Sequence, residues 1–255
     1  MNSTTNYNPQ KEETNLKKTL VFLHYFGGSA ESWLGIIAQL ENDFNCIALN
    51  LPGFGGEPAL PEPSIAAYTS FIQQKLDSLN IESYVLIGHS MSGKFAVDVA
   101  TNDPNFAVEQ LILVAPSPPT IERIPDEELQ RMLNHPNQKE AETTLQKITL
   151  KPLSEAQQEL VIKNNLETDN KTWNWWLTKG VHHSIAEDAA NLFLPITVLA
   201  SEDDPAISFE SILKETMPHL PDAKLITTTG VGHLSPMEAS GWLAKQIRLT
   251  IYQHK

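Results

Sequence analysis

Residues 85–95 read VLIGHSMSGKF, and two chemistries overlap there. Residues 88–94 fit G-x-x-x-x-G-K, the core of a loop that cradles phosphates, while Gly88-His89-Ser90-Met91-Ser92 nearly fits G-x-S-x-G, a strand-to-helix turn that exposes a serine hydroxyl. A phosphate loop needs a hydroxyl after its lysine to hold Mg²⁺, and that place is Phe95. It also pairs with an acidic residue ending a neighbouring strand, and LILVAPS supplies none. A serine hydroxyl is a poor nucleophile until a base takes its proton, and the base must be oriented by a carboxylate. Both partners are available: Asp204 lies in SEDDP and His233 in GVGH, each after an apolar, strand-like run.

The elements that must position these residues follow one rhythm. LVFLHYF is an apolar run of strand length ending at Gly27-Gly28, and Trp33, Ile36, Ile37 and Leu40 then recur at helical spacing. CIALN reads as a second strand closed by Pro52-Gly53, and Tyr68, Phe71, Ile72, Leu76 and Leu79 mark a helix face. YVLIG is a third strand, Phe95 to Ala100 lie in a helix, and LILVAP is a fourth strand stopped by proline. Wholly apolar strands alternating with amphipathic helices predict an α/β fold with a mostly parallel central sheet and helices on both faces.

The rhythm breaks between residues 117 and 191, a polar, helix-like stretch with Pro118, Pro119, Pro125 and Pro136 and a cluster of Trp173, Trp175 and Trp176. It resumes with ITVLA, a helix-like stretch, KLITTTG and a final helix around Leu243, Ile247 and Ile251. The expected organisation is one α/β core, residues 1–116 and 192–255, interrupted by a helical cap at residues 117–191.

The chain resembles the α/β-hydrolase superfamily over residues 20–247. HYFGGS looks like that family's H-G-F-G-G-S oxyanion loop, NLPGFGG like its D-L-P-G-F-G turn, GHSMSG like its nucleophile elbow, and SEDDP and GVGH like its acid and histidine loops. The resemblance implies a serine hydrolase that cleaves carboxylic esters of modest-sized, uncharged substrates through an acyl-enzyme, without metal or organic cofactor. It assigns Ser90 as nucleophile, His233 as general base and then acid, Asp204 as orienting acid, and the backbone N–H groups of Phe26 and Met91 as the oxyanion hole. Perhydrolysis or carbon–carbon bond cleavage by the same three residues is an alternative, as is a non-catalytic small-molecule binding protein on the same fold.

Two places depart from the family pattern. The elbow has Ser92 where glycine is usual, with Gly93 next, and the oxyanion loop has Tyr25 where glycine is usual. If Tyr25 points into the pocket it narrows the acyl side. The tryptophans offer two roles, lining an apolar pocket or fastening the cap, and Tyr25, Trp173 and Trp176 are the candidate pocket residues.

The remaining histidines read as structural. His24 and His89 lack metal-ligand spacing and are expected to be packed and hydrogen bonded, His182 and His183 to form a surface pair, and His219 and His254 to lie away from the chemistry. Aspartate-nucleophile hydrolases are disfavoured because Ser90 holds the elbow.

Composition narrows the partners. A formal charge of -13 repels phosphate backbones and anionic lipid, and no Lys/Arg run offers a local exception, so neither nucleic acid nor membrane is expected. Cys46 is the only cysteine, which excludes an intrachain disulfide and a thiolate metal cluster. Residues 1–18 are polar with no hydrophobic core of a signal peptide, and a cytoplasmic location is the expectation.

Overall fold

The computed structural model describes residues 17–253, so most of the polar head and His254 lie outside the described residues. Strands β1 Thr19–Leu23, β2 Asn45–Leu49, β3 Tyr84–His89, β4 Val108–Val114, β5 Ile196–Ser201 and β6 Lys224–Thr228 form one sheet in the order β2-β1-β3-β4-β5-β6. Every pairing is parallel. Helices α1 Leu34–Leu40, α2 Ile65–Ser78 and α3 Met91–Thr101 alternate with the first four strands. Helices α4 Asp126–Met132, α5 Gln138–Ile148, α6 Glu155–Glu167, α7 Asn170–Trp175 and α8 Ala186–Ala189 all lie between β4 and β5, and α9 Phe209–Ser211, α10 Ser235–Glu238 and α11 Ser240–Tyr252 complete the chain.

Side-chain alternation along each strand builds two cores. Val21, Leu23, Leu86, Leu111, Leu113 and Val198 point to the face covered by α2 and α3, where Tyr68, Ile72, Phe95 and Val99 meet them. Leu20, Phe22, Val85, Ile87, Ile112 and Leu199 point to the other face and pack against Trp33, Ile36, Leu243, Ile247 and Ile251. Strands β3 and β5 are buried throughout, whereas the edge strands β2 and β6 are largely half-buried. That difference is why the central strands read as unbroken apolar runs.

The strand order reverses direction around β1, and in open parallel sheets the crevice outside such strand ends is where ligands bind. The loops after β1 and β3 open there. The run LVFLHYF does not remain strand to Gly27, because β1 stops at Leu23. Gly28 N–H donates to the Tyr25 carbonyl at 3.0 Å and Gly27 takes φ +77°, so the backbone turns while the sequence is still apolar.

The helical excursion is fastened to the sheet at several points. Asn164 Nδ2 donates to Ser29 Oγ at 2.8 Å, and Asp169 N–H donates to the Gly53 carbonyl at 2.8 Å. A small apolar cluster of Tyr25, Leu145, Leu153, Val161 and Leu234 joins α5 and α6 to the loops after β1 and β6. Among the described residues no helix is long and apolar enough to cross a membrane.

Candidate active site

Ser90 occupies a sharp turn between β3 and α3 with φ 56° and ψ -120°, a backbone conformation that costs a non-glycine residue on the order of 1–3 kcal/mol. Neighbours hold it there. Ser90 N–H donates to the Val114 carbonyl at 2.9 Å, and the Ser90 carbonyl accepts from Gly93 at 2.8 Å and Ser117 at 2.9 Å. The turn is therefore clamped to the C-terminal end of β4.

The serine in place of the usual elbow glycine has a local explanation. The Ser92 hydroxyl donates to the His24 carbonyl, so the side chain is hydrogen bonded within the elbow. A Cβ on Gly93 would overlap Pro116, and one on Gly88 would overlap the Ser92 carbonyl. The positions that need a missing Cβ are thus Gly88, against the Ser92 carbonyl, and Gly93, against Pro116, while the side chain of residue 92 has room.

Three distant loops bring their side chains together. His233 Nε2 lies 2.8 Å from Ser90 Oγ, and His233 Nδ1 lies 2.8 Å from Asp204 Oδ2. A carboxylate only accepts, so the proton is on Nδ1 and the Nε2 lone pair faces the serine hydroxyl. All three residues are buried. Asp204 Oδ1 accepts from the N–H groups of Ala206 at 2.8 Å and Ile207 at 3.0 Å, which fixes the carboxylate plane. Its neighbours have other duties: Glu202 accepts from Thr227 Oγ1 at 2.9 Å, and Asp203 from Gly230 N–H at 2.6 Å.

Burial opposes protonation of His233, but the charge of Asp204 and its hydrogen bond outweigh burial and hold the imidazole above its ordinary 6.5. The other two buried histidines are driven the opposite way. Burial pulls His24 down to about 4; its Nδ1–H donates to the Tyr25 carbonyl at 2.8 Å and its Nε2 accepts from Leu51 N–H at 3.2 Å. His89 is pushed well below 6.5 by burial and then by the charge of His233, and its Nε2–H donates to the His233 carbonyl at 2.9 Å. Both are packed, hydrogen-bonded histidines, and His182 and His183 are exposed, as the sequence predicts.

Among the described residues the Tyr25–Gly28 turn spends only the Gly28 N–H, and Met91 is the first residue of α3, where helix N–H groups lack intrahelical partners. Both loops border a cavity of about 410 Å³ that reaches Ser90 and His233. Tyr25, Trp173 and Trp176 line it together with Phe26, Leu177 and Val161. Trp173 also fastens the excursion, since its ring packs 4.2 Å from that of Phe26 in the loop after β1 while its Nε1–H donates to the Met132 carbonyl within the excursion at 2.8 Å, and Trp175 packs outside the cavity on Tyr68 at a ring distance of 5.3 Å. The two cations lining the cavity are paired: Arg123 with Glu215 at 2.8 Å and Lys147 with Glu128 at 2.6 Å.

Some residues that shape the site carried no readable signal. Lys94, fully buried, donates to the carbonyls of Thr120 and His183 at 2.9 Å each, so the lysine of the apparent phosphate loop ties both ends of the excursion to α3. Glu238 accepts backbone N–H groups from both the histidine loop and the α5–α6 connection. Spacing gives no hint of either.

A model of the alpha/beta hydrolase family matches residues 20–246. The chain belongs to that family. Among curated relatives of this alpha/beta hydrolase, the dihydrolipoyllysine-residue acetyltransferase component of the acetoin cleaving system of Cupriavidus necator is 34% identical over 100 residues, covering 39% of this chain and 26% of that protein. The 2-succinyl-6-hydroxy-2,4-cyclohexadiene-1-carboxylate synthase of Klebsiella pneumoniae is 33% identical over 94 residues, covering 37% and 36%. These matches thus span only about a quarter to a third of the relatives' own length. Solved structures align over nearly the whole hydrolase. An esterase from Exiguobacterium antarcticum gives a TM-score of 0.85 at 14% identity, covering 93% of this chain and 92% of that one. A meta-cleavage product hydrolase from Pseudomonas fluorescens gives 0.79 at 16%, covering 94% and 92%. At such identities the likeness establishes the fold.

Proposed function

We propose that this hydrolase cleaves carboxylic esters of small, uncharged substrates through an acyl-enzyme. The observation that carries the reading is the unbroken hydrogen-bond chain from Ser90 Oγ through His233 to Asp204, opening on an apolar cavity. Ser90 Oγ attacks the ester carbonyl as His233 Nε2 takes its proton. Negative charge gathers on the carbonyl oxygen, where the N–H groups of Phe26 and Met91 donate to it, the latter helped by the positive end of α3. His233 then protonates the departing alcohol, and the same base activates water to release the acid. Residues 117–191 act as a cap that supplies most of the apolar wall. No metal or organic cofactor enters the scheme.

A second reading, carbon–carbon bond cleavage, is suggested by the meta-cleavage hydrolase neighbour and by the synthase relative, whose name describes a carboxylate. The paired state of Arg123 and Lys147 favours the ester reading, because an anionic substrate needs a cation not already neutralised. Hydrolysis of p-nitrophenyl esters graded by acyl length decides between them. A burst of nitrophenol followed by turnover of short and medium acyl chains is expected. Activity confined to vinylogous diketones, with none on activated esters, refutes the ester reading.

A further inference from the structure

A polar side chain on the cap side of the cavity is left without work. Asn165 on α6 is buried, with 8% of its surface exposed, and it lines the cavity. Its backbone is clamped: the carbonyl accepts from His135 Nε2 at 2.8 Å and from Thr168 N–H at 3.3 Å. Next to it, Asn164 pins α6 to Ser29 at 2.8 Å. Yet the Asn165 carboxamide has no hydrogen-bond partner among the described residues. Several other polar groups of the lining are engaged, Thr144 by Arg131 at 3.0 Å, Trp173 by Met132 at 2.8 Å and Ser90 by His233 at 2.8 Å, whereas the Tyr25 hydroxyl is enclosed without a partner among the described residues.

The position of that carboxamide matters. A Cβ built on Gly27 would lie 3.6 Å from Asn165 Nδ2 and 3.2 Å from the Trp173 ring, so the amide and the indole flank the turn that carries the Phe26 N–H. The His135 ring stacks on Trp173 at 4.0 Å, fixing the indole as the His135 hydrogen bond fixes Asn165. The carboxamide faces the cavity, and it both donates and accepts. A hydroxyl, which likewise donates and accepts, matches it on both counts.

We infer that Asn165 is a specificity-determining residue that selects esters bearing a hydroxyl oxygen on the acyl chain, close to the scissile carbonyl, over plain alkyl esters. The inference deepens the ester reading above and rests on it. Trp173 packs against the acyl chain while Asn165 exchanges a hydrogen bond with the oxygen. A site built to bond a substrate hydroxyl discriminates against the analogue that lacks it, whereas an apolar wall cannot.

The test compares p-nitrophenyl butyrate with the 2-hydroxy- and 3-hydroxybutyrate esters, using the full chain and Asn165→Leu. The wild type is expected to favour at least one hydroxylated ester by roughly tenfold or more in kcat/KM. Asn165→Leu is expected to abolish that preference while changing kcat/KM for butyrate less than about threefold. Wild-type indifference to the hydroxyl, or an equal loss on all esters in the variant, overturns the inference and leaves the ester reading standing. Failure of the wild type to cleave any of the three esters overturns both. If Asn165→Leu loses its cooperative thermal transition, Asn165→Ala provides the same comparison.

Discussion

The backbone N–H of His233 donates to the carbonyl of Ile148 at 2.7 Å, so the proposed base is hydrogen bonded to the last residue of α5. Glu238 reinforces that junction. Its Oε2 accepts from Gly232, Leu150 and Lys151 at 2.9, 2.9 and 2.8 Å, and its Oε1 accepts from Leu234 at 3.2 Å. The histidine loop and the helical excursion are thus stitched by one carboxylate, and loosening the stitch disturbs the imidazole.

Glu238→Gln replaces one acceptor oxygen with an amide whose hydrogens face backbone N–H groups. The expected result is a loss of about 1–3 kcal/mol in urea unfolding and roughly a tenfold fall in kcat/KM. Wild-type values for both would remove Glu238 from the account.

Asp204 and Asp203 separate cleanly. Asp204→Asn should lower kcat by about 10³–10⁴, because an amide no longer fixes the Nδ1–H tautomer, whereas Asp203→Asn should cost only a few-fold. The reverse ranking in ester kinetics moves the acid by one residue.

The pH profile follows from the direction of the His233 shift. The imidazole acts as base only when neutral, and Asp204 holds it above 6.5, so the rate should rise with pH to a midpoint above 6.5. In Asp204→Asn that midpoint should move toward acid. A wild-type midpoint below 6.5 contradicts the geometry.

The elbow makes an unusual ranking. Gly93→Ala should cost about 1–3 kcal/mol because its Cβ would overlap Pro116, and Ser92→Ala about 1 kcal/mol for the lost bond to the His24 carbonyl. Thermal or urea unfolding reads both. A larger loss for Ser92→Ala than for Gly93→Ala would contradict this ranking.

Burial pulls Lys94 down to about 8 from 10.5, against the favourable charge of Glu122. The unfolded chain therefore holds this proton more tightly, and folding gains stability as pH rises from about 8 toward 10.5. Relative to Lys94→Met, the wild type should become more stable by about 2 kcal/mol between pH 7 and pH 9.5. A stability difference that stays constant or shrinks over that range contradicts the assignment.

What was legible in the sequence was whatever periodicity and punctuation encode. YVLIG and ITVLA read as buried strands because both of their faces are covered, and the order Ser90, Asp204, His233 is visible because each residue follows a strand. The end of β1 was not legible, since His24, Tyr25 and Phe26 extend the apolar pattern into a turn set by a backbone angle at Gly27. The two roles open to the tryptophans were both realised, Trp173 in wall and fastening together, because its ring lines the cavity and also packs on Phe26 of the core. Lys94, Asn165 and Glu238 act through backbone groups or across space, and such contacts leave no spacing to read.

The central claim is that Ser90 is the nucleophile, and intact-protein mass spectrometry after treatment with a fluorophosphonate measures it most directly. The wild type should gain one phosphonyl adduct per chain, mapped to Ser90, and folded Ser90→Ala should gain none. Equal labelling of Ser90→Ala, or no adduct on folded wild type, would contradict the account.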